Sequence, residues 1–92
     1  MRIEYLKENL NKAVFTTKKI IEKGVLIKYV AHDDEDDWQF FEEEFVSTSD
    51  IMIVSLEQIV KIDTTLVDTM KLPIGGKLIR SGVEEEWELV ID

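Results

Sequence analysis

The chain has 92 residues and a mass of 10.7 kDa, enough for one domain with one modest core. Hydrophobic residues make up 45% and only five residues are Gly or Pro, which excludes a disordered or collagen-like chain; the absence of cysteine excludes a disulfide framework, a thiolate zinc site and a cysteine nucleophile. The formal net charge of −9 is unevenly spread: +4 over residues 1–28, −9 over 29–50, +1 over 51–83 and −5 over 84–92. Such a surface repels phosphates, so nucleic acid and anionic membranes are expected not to be partners, whereas a basic protein would be attracted and steered. The longest apolar runs, Val25–Ile27 and Ile51–Val54, are far too short to cross a bilayer. The charged start, MRIEYLKENLNK, reads as no signal peptide, which points to a cytoplasmic protein.

Taken in chain order, residues 2–11 predict a short amphipathic helix, with Ile3, Leu6 and Leu10 on one side. Ala13–Thr16 reads as a short strand, and Thr17 to Lys23 as one or two helical turns stopped by Gly24. Val25 to His32 is β-branched and apolar enough for a central strand. Asp33, Asp34, Glu35, Asp36 and Asp37 form a loop, because five adjacent carboxylates repel and need water. Trp38–Phe41 reads as the returning strand, followed by Glu42, Glu43, Glu44 and Phe45, and Ser47–Asp50 is turn chemistry. Ile51–Val54 is the second expected central strand. Ser55, three residues before Gln58, has capping-box spacing for a helix through Ile59 and Val60. Asp63 or Thr64 caps a further helix carrying Leu66, Val67 and Met70, which Leu72-Pro73 ends. Ile74-Gly75-Gly76 is a bend. Lys77–Arg80 and Glu85–Ile91 read as paired strands, with Trp87, Leu89 and Ile91 on the apolar side of the second. Strands and helices mix without a regular βαβ order. The expected fold is therefore α+β: a single domain over residues 1–92, an N-terminal helix over 1–11, and a core over 13–91 with a mainly antiparallel sheet and short helices packed on one face.

Several motifs carry chemistry only on the surface. Asp33, Glu35, Asp37 and Glu44 have the ligand spacing of a calcium loop, but Trp38 stands where such a loop needs its turning glycine. Gly75-Gly76-Lys77 is followed by Leu78, not the Ser or Thr of a phosphate loop, and is better read as a bend. His32 is the only histidine, without Cys or a spaced Ser to form a triad. No enzyme and no cofactor is expected. The aromatics Trp38, Phe40, Phe41 and Phe45 sit among carboxylates and fit either core packing or a protein interface with aromatic anchors inside an acidic rim.

From Asp36 onward, several segments resemble the immunity protein thirty-three family of bacterial polymorphic toxin systems, first described as a domain of unknown function. Asp36-Asp37-Trp38-Gln39-Phe40 resembles its Asp-Ser/Thr-Gly-Trp-x-Phe motif, with Asp37 in place of the glycine. Ile51–Ile59 matches a strand entering a short helix, Ile62-Asp63 the start of the next, and Leu72-Pro73-Ile74-Gly75 its Leu-Pro-x-Gly; Val14–Ile20 fits the family's start. The resemblance covers about residues 13–80 and implies a non-catalytic protein that binds and neutralises a toxin domain. The expected contact residues are Asp33, Asp34, Glu35, Asp36, Asp37, Trp38, Glu42, Glu43 and Glu44, facing a basic site. The alternatives are a small ligand-binding or regulatory domain, and a structural homodimer that uses residues 85–91 as an edge.

Overall fold

The period-two alternation of four short segments decides the architecture. In the computed structural model, which describes residues 6–90, Ala13–Thr17 (β1), Tyr29–His32 (β2), Trp38–Phe41 (β3) and Ile51–Ser55 (β4) form a sheet with Lys77–Ile79 (β5) and Glu88–Leu89 (β6), in the order β4-β1-β3-β2-β5-β6. Only the β1–β3 pair is parallel; the other neighbours are antiparallel. Val14, Val30, Trp38, Phe40 and Val54 point to one face. Phe15, Tyr29, Ala31, Gln39 and Phe41 point to the other. The fold is α+β, as the mixed element order implies.

Lys18–Lys23 (α1) and Leu56–Ile62 (α2) cover the first face together with a 3₁₀ helix, Thr64–Thr69. Each starts where a side chain satisfies an orphan backbone N–H: Thr17 caps Ile20, Ser55 caps Gln58, and Asp63 caps Thr65. Gly24, with φ of 68°, ends α1 in the left-handed conformation that its missing Cβ permits. Ile20, Leu56, Ile59, Leu66 and Met70 then enter a single core beneath the sheet. Leu66 and Met70 pack there as their spacing predicts.

Four expectations are corrected. Ile51–Val54 lies at the edge of the described sheet, not at its centre, because β1 occupies the place between it and β3; Ile53 is accordingly 62% exposed. Strand pairing of the 25–32 segment starts only at Tyr29: Val25–Ile27 leave the sheet so that Ile27 closes the core from the side. The helix over 64–69 is 3₁₀, and the Thr69 hydroxyl donates back to the Leu66 carbonyl at 2.7 Å, a bond that competes with the α-helical ladder. The last strand spans two residues. Trp87 is partly buried against the core, but Leu89, paired with Leu78 at the rim, is 60% exposed. Of the expected N-terminal helix, residues 6–8 form a helical turn; residues 1–5 and Ile91 lie outside the described residues.

Among the described residues, two buried side-chain atoms lack a hydrogen-bond partner, Thr16 Oγ1 and Trp87 Nε1. The Thr16 hydroxyl is fully buried in β1 and its Oγ1 makes no hydrogen bond. An unmet hydroxyl costs more than the methyl of the same shape. Thr16→Val is therefore expected to stabilise the fold by about 1 kcal/mol, read as a higher urea midpoint at unchanged slope. A lower midpoint would show that the hydroxyl has a partner in solution.

Candidate protein-binding surface

The acidic loop 33–37 joins β2 to β3, and its own first carboxylate organises it. Asp33 Oδ1 accepts from the backbone N–H groups of Glu35 (2.9 Å) and Asp37 (3.0 Å), while Asp33 N–H donates to the Asp37 carbonyl at 2.8 Å. Gln39 reaches Asp33 Oδ2 from the strand at 3.4 Å. The turn closes through Asp36, whose φ of 66° is a left-handed conformation that Asp tolerates better than most residues.

His32 fastens this loop to the opposite bend. Its ring stacks on Trp38 with centroids 4.0 Å apart. Nδ1 lies 2.8 Å from the Leu72 carbonyl oxygen and Nε2 lies 2.6 Å from Asp36 Oδ1. Both partners are acceptors, so each ring nitrogen that carries a proton donates to its own partner. The hydrogen bond from His32 holds the Asp36 carboxyl below its ordinary value; desolvation opposes this, and the charges of Lys12 and His32 add to the lowering. The contact therefore favours the fold above the ordinary carboxylate range and is lost as pH falls through the lowered Asp36 value. The backbones join beside it: His32 N–H donates to the Gly76 carbonyl at 3.0 Å, and Gly75 N–H to the His32 carbonyl at 2.6 Å.

The acids expected at the surface divide into two groups. Asp33 and Asp36 are tied into the loop, Glu42 accepts from the Thr17 hydroxyl at 2.8 Å, and Glu44 lies 3.8 Å from Lys77 Nζ. Asp34, Glu35 and Glu43 are exposed, and Asp37 is half-buried. Trp38 is a correction. It is fully buried on the helix-covered face, between His32 and Phe40, and does not reach the surface. Phe40 and Phe41 are buried too, on opposite faces of the sheet, whereas Phe45 is 84% exposed. The aromatic group is thus core up to Phe41 and surface at Phe45. Period-two alternation carries Trp38 and Phe40 inward; Phe45 lies beyond the end of β3, where that period no longer applies.

Phe45 flanks an open cleft of about 350 Å³ on the sheet face that the helices leave uncovered. Tyr29 and Ala31 line it from β2, Asp33 and Asp34 from the acidic loop, and Glu44 from the segment after β3. Gly75 and Gly76 form the opposite wall. A Cβ on Gly75, whose φ is 88°, would stand 3.5 Å from Asp34 Oδ1, so the Asp34 carboxylate lies directly along that wall. Gly76 is more constrained, since a Cβ there would meet Leu72 Cδ1 at 2.6 Å. The sequence reading missed the glycine wall and the Tyr29–Ala31 floor, because both depend on β5 pairing with β2.

No protein family, curated protein or solved structure matches this chain. What the surface can do follows from its chemistry. Among the described residues, no three His, Asp or Glu side chains are placed to hold a metal ion. No described helix is long and apolar enough to cross a membrane. The surface offers carboxylates beside an exposed aromatic ring and a cleft, a combination suited to a basic protein surface.

Proposed function

We propose that this protein is a non-catalytic immunity-type protein that acts in the cytoplasm by binding and neutralising a toxin domain with a basic working surface. The observation that carries the reading is the juxtaposition of exposed Asp34, Glu35 and Glu43 with Phe45 and the cleft. Acids placed this densely repel one another and work against folding, so they serve an interaction better than they serve stability. A toxin that handles nucleic acid needs a phosphate-binding basic site, and covering that site blocks it sterically and electrostatically. The resemblance of residues 13–80 to an immunity family supports the same conclusion.

The test is kinetic binding to the toxin encoded beside the gene. Asp34→Asn, Glu35→Gln and Glu43→Gln together remove three charges from exposed positions that hold no part of the loop. The triple variant is expected to associate about tenfold more slowly at low salt, within the range of electrostatic steering, with the difference closing at high salt. An unchanged association rate would make the acids a solubilising surface only.

A further inference from the structure

We propose that the cleft over Tyr29 and Ala31 takes an arginine side chain presented by the protein partner. This deepens the binding reading above and rests on it. The cleft's volume of about 350 Å³ is at the lower end of ordinary ligand pockets and suits one extended side chain. Its floor is held in place: Tyr29 stacks on Phe41 with centroids 6.1 Å apart, and the small Ala31 leaves the depression between Gln39 and Lys77. Exposed Phe45 gives aromatic surface for a flat cation, above a floor set by the buried Tyr29 and Ala31.

Charge selects the occupant. Asp33, Asp34 and Glu44 line the cleft against Lys77, already within 3.8 Å of Glu44, and His32, whose Nε2 is engaged by Asp36. The field is negative, so a cation is favoured and an acidic or phosphorylated ligand is repelled. The glycine wall keeps Asp34 at the rim, where a guanidinium entering from a partner meets it first. Arginine suits this site better than lysine, because its planar head is weakly hydrated and stacks on aromatic rings while it donates in several directions to carboxylates. This subsite adds an anchor to the long-range steering by the outer acids.

The experiment needs no toxin. N-acetyl-arginine amide is titrated into the full chain and followed by backbone amide shifts, with N-acetyl-citrulline amide as the neutral isostere. Saturable shifts confined to Tyr29, Ala31, Asp34, Phe45 and Gly75 are expected, with a millimolar dissociation constant, on the order of what a ligand of about fifteen heavy atoms reaches. Phe45→Ala and Asp34→Asn should each weaken binding about threefold or more. Glu86→Gln, which makes the same charge change outside the cleft, should leave it unchanged. Equal weakening by Glu86→Gln and Asp34→Asn, equal binding of citrulline, tighter binding of the lysine amide, or no saturable shift would each overturn the proposal. A toxin that fails to bind while the arginine amide binds as expected would instead overturn the immunity reading alone.

Discussion

Asp63→Ala is expected to cost about 3–5 kcal/mol, the usual penalty for stranding one member of a buried ion pair. Arg80 is the stranded partner. Its side chain is 1% exposed, and each part of the guanidinium has a task. Nε donates to the Ile27 carbonyl at 3.1 Å, Nη1 to the Thr65 hydroxyl at 2.9 Å, and Nη2 to Asp63 Oδ2. Trp87 lies over the guanidinium at 4.3 Å. One residue at the end of β5 thus ties down the segment leaving α1, the start of the 3₁₀ helix and the approach to β6. A domain of this size has roughly 5–14 kcal/mol in total, so the loss is a large share of its stability. Urea unfolding at neutral pH checks it; a loss under about 1 kcal/mol would mean that water reaches the pair. Arg80→Met with Asp63→Leu should recover much of the deficit, because apolar replacement of both partners removes the stranded charge.

The same pair sets an acid limit. Burial pushes the Asp63 carboxyl up, but the Thr65 and Arg80 hydrogen bonds and the Arg80 charge outweigh it and hold it below its ordinary value. A lowered folded value means that the contribution is present above the unfolded carboxylate range, near pH 4, and fades as pH falls through the folded value. Asp63→Asn should flatten the pH dependence of stability in that acid window and leave its slope near neutrality alone.

Trp38→Ala is expected to cost about 3–5 kcal/mol, as for other large aromatics removed from a core. The side chain is fully buried, with His32 on one side and Phe40, its centroid 6.1 Å away, on the other. Its loss would also release the ring that holds His32 against Asp36 and Leu72. The outcome separates two roles. A contact residue loses partner affinity while the free protein melts as before; a core residue lowers the melting transition first. The second result is expected, and an unchanged urea midpoint would return Trp38 to the interface.

Elements with a local cause were readable from the sequence. Ser55 and Gln58 announced α2, Gly24 announced the end of α1, and five carboxylates could only be a loop. Features built by distant pairing were not. Nothing in Ile51–Val54 says that β1 stands between it and β3, since an edge strand and a central one share the same apolar letters. Arg80 and Asp63 are 17 residues apart and look like ordinary surface charges until the backbone brings them together. The acidic half of the candidate site was legible as composition. Its cleft was not, because the glycine wall reaches the Tyr29 floor only through the β2–β5 register.

The position of β1 also dictates an order of events. The β2–β3 hairpin closes over the five residues 33–37 and can form as soon as those residues exist. β1 has no such neighbour: Phe15 must wait for Gln39 on one side and Ile53 on the other. On the ribosome, residues 13–17 therefore emerge before either partner and cannot complete their pairing until Ser55 has been released, leaving an apolar segment open to wrong partners meanwhile. In refolding from denaturant the same non-local closure places the rate of this small domain with mixed α/β folds and below that of helical bundles of equal length.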